Sequence, residues 1–151
     1  MNCRIIDIHT HIYPVALARR AMEVTRHEND DFKKLPIREN LLARMQEAGV
    51  DISVNLPVVS KPQNQAEVNR FAKESARKNI IPFGGLHPDC ENVIEELEKL
   101  KDMEMAGIKF HPPFQKVHLE DPKYGEMWRK INELGFPVLI HMGTARIVPP
   151  L

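Results

Sequence analysis

Pro137-Val138-Leu139-Ile140-His141-Met142-Gly143 is an apolar, β-branched run that stops abruptly at a histidine. A parallel strand covered on both faces reads as uniformly apolar, so this run predicts a buried strand of a parallel sheet. An imidazole at its carboxyl end calls for a partner, because a polar group in apolar surroundings costs free energy until it is bonded. Just upstream, Met127, Trp128, Ile131 and Leu134 share one helical face. Gly135 follows them, where a left-handed residue ends a helix at least cost.

The same passage recurs outward from this point. Short strand-like runs are read at residues 4–8, 52–56, 81–86, 108–111 and 137–141, each followed by a loop rich in Pro, Gly or His. Between them lie helical stripes: Leu41, Leu42, Met45 and Ala48; Val68, Phe71, Ala72 and Ala76; Ile94, Leu97 and Leu100. Gly49 terminates the first of these stripes, and Asp121-Pro122 opens the last helix with a carboxylate cap and a proline at its first position. Residues 15–36 hold a helix near 16–26 and a charged loop over 28–34, expected to pass over the strand ends. Strands alternating with helices, one βα unit in roughly 30 residues, predict an α/β fold around a parallel sheet. No linker or low-complexity stretch interrupts it, so residues 1–151 read as a single domain.

Composition narrows the function. Twenty-one basic residues balance twenty-one acidic ones, which leaves no strong field to gather nucleic acid or an anionic membrane surface. No run approaches the ~18 apolar residues of a membrane span, and the first residues lack a secretory signal, so a cytoplasmic protein with a small-molecule substrate is expected. Cys3 and Cys90 cannot build a disulfide framework and are expected to be reduced thiols.

Chemistry is concentrated in the histidines. The first strand runs Asp7-Ile8-His9-Thr10-His11, and side chains at i and i+2 of a strand point the same way. His9 and His11 therefore converge, and neutral imidazoles suit Zn²⁺, Fe²⁺ or Mn²⁺; a polar strand end without a ligand role is the alternative. In Gly107-Ile108-Lys109-Phe110-His111-Pro112-Pro113, Lys109 and His111 share a face by the same period. An interior lysine beside a metal can be a ligand after carbamylation, a counter-charge to an anionic substrate, or a solvated group at the rim. A role in holding substrate or in orienting ligands is preferred for both residues. His87, in Gly85-Leu86-His87-Pro88-Asp89, ends the third strand, whereas His27 and His118 read as solvated surface groups. Separate strands thus each deliver a histidine to one end of a sheet, where a (β/α) barrel builds its active site.

These motifs, in this order and over nearly the whole chain, resemble the amidohydrolase superfamily. Within it the chain is similar to the branch of TIM-barrel hydrolases that includes aminocarboxymuconate-semialdehyde decarboxylase. The resemblance implies a (β/α)8 barrel of which about five βα units are present. It also implies that His9, His11 and His141 bind one divalent cation, usually zinc, with His111, Lys109 and His87 shaping the substrate pocket. The implied activity is hydrolysis of a C–N or C–O bond in a small molecule by metal-activated water. Non-oxidative decarboxylation by the same ligands is an alternative.

In the family a histidine after strand six and an aspartate after strand eight complete the site. No residue here takes either role, so the general base is unassigned. A whole barrel takes ~250 residues, and the chain is therefore expected to be the N-terminal portion of one. An open edge then predicts self-association or completion by another chain. Two further readings remain: a phosphoesterase of the polymerase-and-histidinol-phosphatase type, which opens with the same histidine pair, and a catalytically inactive half barrel.

Overall fold

The computed structural model describes residues 3–24 and 34–143. Its strands are β1 (Ile6–Thr10), β2 (Ile52–Asn55), β3 (Ile80–Pro82), β4 (Gly84–Gly85), β5 (Ile108–Phe110) and β6 (Val138–Ile140). They alternate with helices α1 (Val15–Val24), α2 (Arg38–Ala48), α3 (Gln65–Glu74), α4 (Val93–Asp102), α5 (Pro112–Gln115) and α6 (Gly125–Glu133). Every pairing of named strands is parallel, in the orders β1-β2-β3 and β4-β5-β6. Parallel strands in sequence order with helical crossovers between them are the connectivity of a (β/α) barrel. His27, most of the charged segment 28–34 and the Pro149-Pro150 end lie outside the described residues.

The strand read over 81–86 is split at Phe83 into β3 and β4. Successive amides there turn opposite ways: Phe83 N–H donates to Asn55 O at 3.0 Å, toward β2, and Gly84 N–H donates to Gly107 O at 2.8 Å, toward β5. The split strand therefore joins the two ladders edge to edge. Gly107 sits at this junction because a Cβ there would stand 2.4 Å from the Phe83 ring and 2.7 Å from Pro137 O. Any larger residue would force the strands apart.

The predicted stripes face the core with two exceptions. Phe110, Leu97, Leu100, Met127 and Ile131 are buried in one cluster that α4 and α6 close over β5, with Trp128 tilted against Phe110 at 5.5 Å. Met45, Ile80 and Ile12 form a second cluster, with Leu41, Leu42 and Phe71 packed on it. Ala48 instead is exposed in the last turn of α2, and Ala76 falls beyond the end of α3. Gly49 and Gly135 take φ of 70° and 69°, the left-handed conformation their positions predicted. Asp121 caps not α6 itself but the 3-10 turn Pro122–Tyr124 that leads into it, accepting from Lys123 N–H at 2.9 Å.

β1 begins two residues later than the sequence suggests and lies at one end of the strand order. Its outward apolar residues Ile6 and Ile8 are 52% and 61% exposed, so this strand is covered by little of the described chain. Among the described residues no helix is long and apolar enough to cross a membrane.

Candidate metal centre

The carboxyl end of β1 is fastened to β2 by three bonds that fix where its histidines point. Thr10 Oγ1 donates to Val54 O at 2.8 Å, Leu56 N–H donates to Thr10 O at 2.8 Å, and Ile12 N–H donates to Asn55 Oδ1 at 3.0 Å. His11 Nδ1 lies 2.7 Å from Leu56 O. A carbonyl only accepts, so Nδ1 carries the proton and Nε2 keeps its lone pair free, as a metal-ligating imidazole requires. The His9 ring stands beside it, 5.1 Å between centroids at 69°. His9 N–H in turn donates to Asp7 Oδ1 at 3.0 Å.

Across the sheet, His111 follows β5 and His141 follows β6. Their rings stack at 4.1 Å and 9°, and Phe114 stacks 4.0 Å from the His111 ring. His141 is held to β5 through its backbone, its N–H donating to Phe110 O at 3.1 Å. His111 is held by Gln115, whose Oε1 accepts its N–H at 2.9 Å. Gln115 Nε2 then donates to Val59 O at 3.0 Å and Leu86 O at 2.7 Å. One buried amide thereby ties the ends of β2, β4 and β5 together. Sequence reasoning did not single out Gln115; its only signal is a position four residues after a strand-end histidine.

Lys109, on β5, is 1% exposed, so the solvated reading of this residue does not hold. Its Nζ and His111 Nδ1 are buried without a hydrogen-bond partner among the described residues. Lys109 acts on His9, His11 and His111 through its charge, and His141 acts on the same three. The structure thus brings together His9, His11, Lys109, His111 and His141. His87 is buried too but stands by itself: its N–H donates to Gln65 Oε1 at 2.7 Å, and its charged neighbour is Asp89. His118 is exposed and paired with Glu120 at 3.5 Å, the surface position expected of it.

Burial and repulsion from neighbouring positive groups disfavour protonation of the His9, His11 and His111 rings. Loss of water lowers His9 and His11 from the usual 6.5, with Lys109 and His141 adding to the effect. His111 is driven down to about 4, first by burial, then by His141 and Lys109. Unfolded, each imidazole titrates near 6.5, so between about 6.5 and 4 the unfolded chain binds more protons than the folded one. The stability these rings contribute is complete above that window and is lost as pH falls through it. The denaturation midpoint of metal-free protein should decline from pH 6.5 downward, and less steeply in His111→Gln; equal slopes would contradict it.

Imidazoles whose protonation is disfavoured are the donor chemistry of a first-row divalent cation, and His11, its Nδ1 committed to Leu56 O, fits that role. Among the described residues, however, no three His, Cys, Asp or Glu side chains stand close enough together to form a cage. His141 lies flat on His111, while His9 and His11 meet edge to face. Beside His141 opens a cleft of about 670 Å³, walled by Pro112, Val117, Leu119, Ile140 and Met142.

A family model described as Amidohydrolase matches residues 6–151. Among solved structures, a 5-carboxyvanillate decarboxylase from Novosphingobium aromaticivorans superposes with a TM-score of 0.73 at 15% identity, covering 91% of this chain and 50% of that one. That enzyme was solved with manganese and 3-methoxy-4-hydroxy-5-nitrobenzoic acid bound. A 4-oxalomesaconate hydratase from Rhodopseudomonas palustris gives 0.59 at 26% identity, over 91% of this chain and 52% of the other. A 2,6-dihydroxybenzoate decarboxylase from Rhizobium gives 0.62 at 18% identity, over 91% and 49%. The chain spans about half the length of these structures. No curated protein sequence matches it.

Proposed function

The chain belongs to the amidohydrolase family, a family of metal-dependent enzymes on a (β/α)8 barrel, and on that premise we propose that it carries the metal-binding half of a hydrolase site for a small molecule. What supports the reading is that His9 and His11 from β1, His111 after β5 and His141 after β6 lie within electrostatic reach of one another and of the buried Lys109, with protonation of His9, His11 and His111 disfavoured. His9, His11 and His141 would hold the cation, zinc being the first choice for an imidazole set. Bound there, a divalent ion supplies Lewis acidity that polarises a substrate oxygen or lowers the pKa of water toward ~7.

The chain's own residues then have separable tasks. Leu56 O keeps His11 in the tautomer that offers Nε2. Gln115 sets the place of His111 at the mouth of the site. His111 and Lys109 face substrate. Scission of a C–N or C–O bond is the leading reading. Lyase chemistry is the alternative, since decarboxylases and a hydratase share the fold.

Protein purified without chelator is expected to carry about one divalent ion per chain at a three-histidine site. Turnover of a panel of amides, lactones and aromatic carboxylic acids should disappear on chelation and return with metal. Release of carbon dioxide from the acids alone would select the lyase reading. Chelator-resistant turnover, or protein free of metal under those conditions, would overturn the proposal.

A further inference from the structure

Gly143 stands two residues after His141, and its backbone gives no reason for a glycine. Among the described glycines only Gly49 and Gly135 hold a positive φ, so Gly143 lies outside the left-handed region that favours this residue. What the position does require is space. A Cβ there would stand 3.3 Å from His141 Nε2 and 3.7 Å from His141 Cε1, with nothing else beyond its chain neighbours inside 4 Å. Gly84, Gly85 and Gly107 leave room instead for Leu100, Val59 and Phe83 and for backbone oxygens. Gly143 is thus the described glycine whose missing side chain leaves room at a histidine.

The two contacts also give a direction. Nε2 and Cε1 are neighbours on the rim of the ring, and Cδ2, on the other side of Nε2, is farther than 4 Å from the same point. The Cβ would therefore sit off the ring's edge, on the side to which the Nε2 lone pair points. A cation held by that nitrogen stands about 2.0–2.1 Å from it along the lone pair. A methyl group at residue 143 and the cation with its remaining ligands would contend for one space. The ring has little freedom to yield: it lies flat on His111 at 4.1 Å and 9°, His111 stacks 4.0 Å from Phe114, and His141 N–H is bonded to Phe110 O. Gln115 in turn holds His111 by its backbone N–H.

We propose that Gly143 is a positioning residue of the metal centre, and that the absence of a side chain there keeps the approach to His141 Nε2 open. This rests on the metal-site reading and adds to it a residue that supplies no ligand atom. The requirement is steric, so alanine and serine, which differ in polarity but share a Cβ, should act alike at this position.

The test is a double-mutant cycle on the full chain, with Zn²⁺ affinity read by competition against a chromophoric chelator. Gly143→Ala and Gly143→Ser should each bind Zn²⁺ about tenfold or more weakly than wild type, the scale of losing a group that keeps a ligand in place. In a His141→Ala background, which removes the ring that the Cβ would meet, Gly143→Ala should change the affinity by less than about twofold. Metal-free Gly143→Ala should keep the wild-type thermal midpoint, because only His141 comes within 4 Å of the added carbon. Unchanged affinity in both single variants, an equal loss in the His141→Ala background, or a lower thermal midpoint of metal-free Gly143→Ala would each overturn the assignment. The ligand variants separate this proposal from the broader one. Weaker binding in His11→Ala and His141→Ala with Gly143→Ala at the wild-type value ends the role of Gly143 alone, whereas affinity indifferent to both histidines ends the metal-site reading.

Discussion

Replacing His11 by alanine is expected to lower the affinity for a divalent ion by about a hundredfold or more. Loss of a residue that merely orients a ligand costs 10–100-fold in typical metal sites, and loss of the ligand itself costs at least as much. The structural case for His11 is the fixed tautomer: Nδ1 is committed to Leu56 O at 2.7 Å, which leaves Nε2 as the donor atom. Leu56 N–H is bonded to Thr10 O, so the carbonyl that steers the ring is itself held by the strand bearing it. Competition with a chromophoric chelator would measure the change. Removing exposed His118, which pairs with Glu120 on the surface, should leave affinity at the wild-type value. Equal affinities for wild type and His11→Ala would remove His11 from the site.

A second large effect is expected at a residue that touches no ligand. Gln115→Leu keeps the size of the side chain and removes three hydrogen bonds at once, to His111 N–H, Val59 O and Leu86 O. Gln115 is 5% exposed, so water does not readily replace them. An orphaned buried polar group costs about 1–3 kcal/mol, which puts the loss of stability at about 3 kcal/mol or more. For a domain of this size that is a fall in Tm of about 10 °C. Urea denaturation of the metal-free protein would show it as a lower midpoint at an unchanged slope. Stability within about 1 kcal/mol of wild type would mean that the three strand ends are held together by packing alone. Gln115→Glu should fare no better, because a carboxylate keeps the acceptor for His111 N–H but faces two carbonyl oxygens without a proton to offer.

Much of the architecture follows from short-range pattern. Apolar period assigned the strands and helices to within a few residues, since burial of one face is decided by neighbours three or four positions away. Gly49 and Gly135 were legible as helix ends because a positive φ is a property of the single residue. A common side for His9 and His11, and for Lys109 and His111, is what strand period predicts, although the β1 ladder shifts register between Asp7 and Thr10. Ala48 was misplaced for the complementary reason: it has the right spacing, but among the described residues it is exposed in the last turn of α2.

What chain pattern by itself determined is the class of fold and the set of residues able to meet at the strand ends. Only tertiary structure decided which of them do meet: His141 against His111, Lys109 buried among imidazoles, and His87 apart on Gln65. It also decided that β3 and β4 break at Phe83 and that Gln115 reaches Val59, 56 residues away. The physical reason is range. Periodicity fixes the direction of a side chain relative to its own backbone, whereas distance across the site depends on how separate strands pair and on hydrogen bonds between segments far apart in the chain.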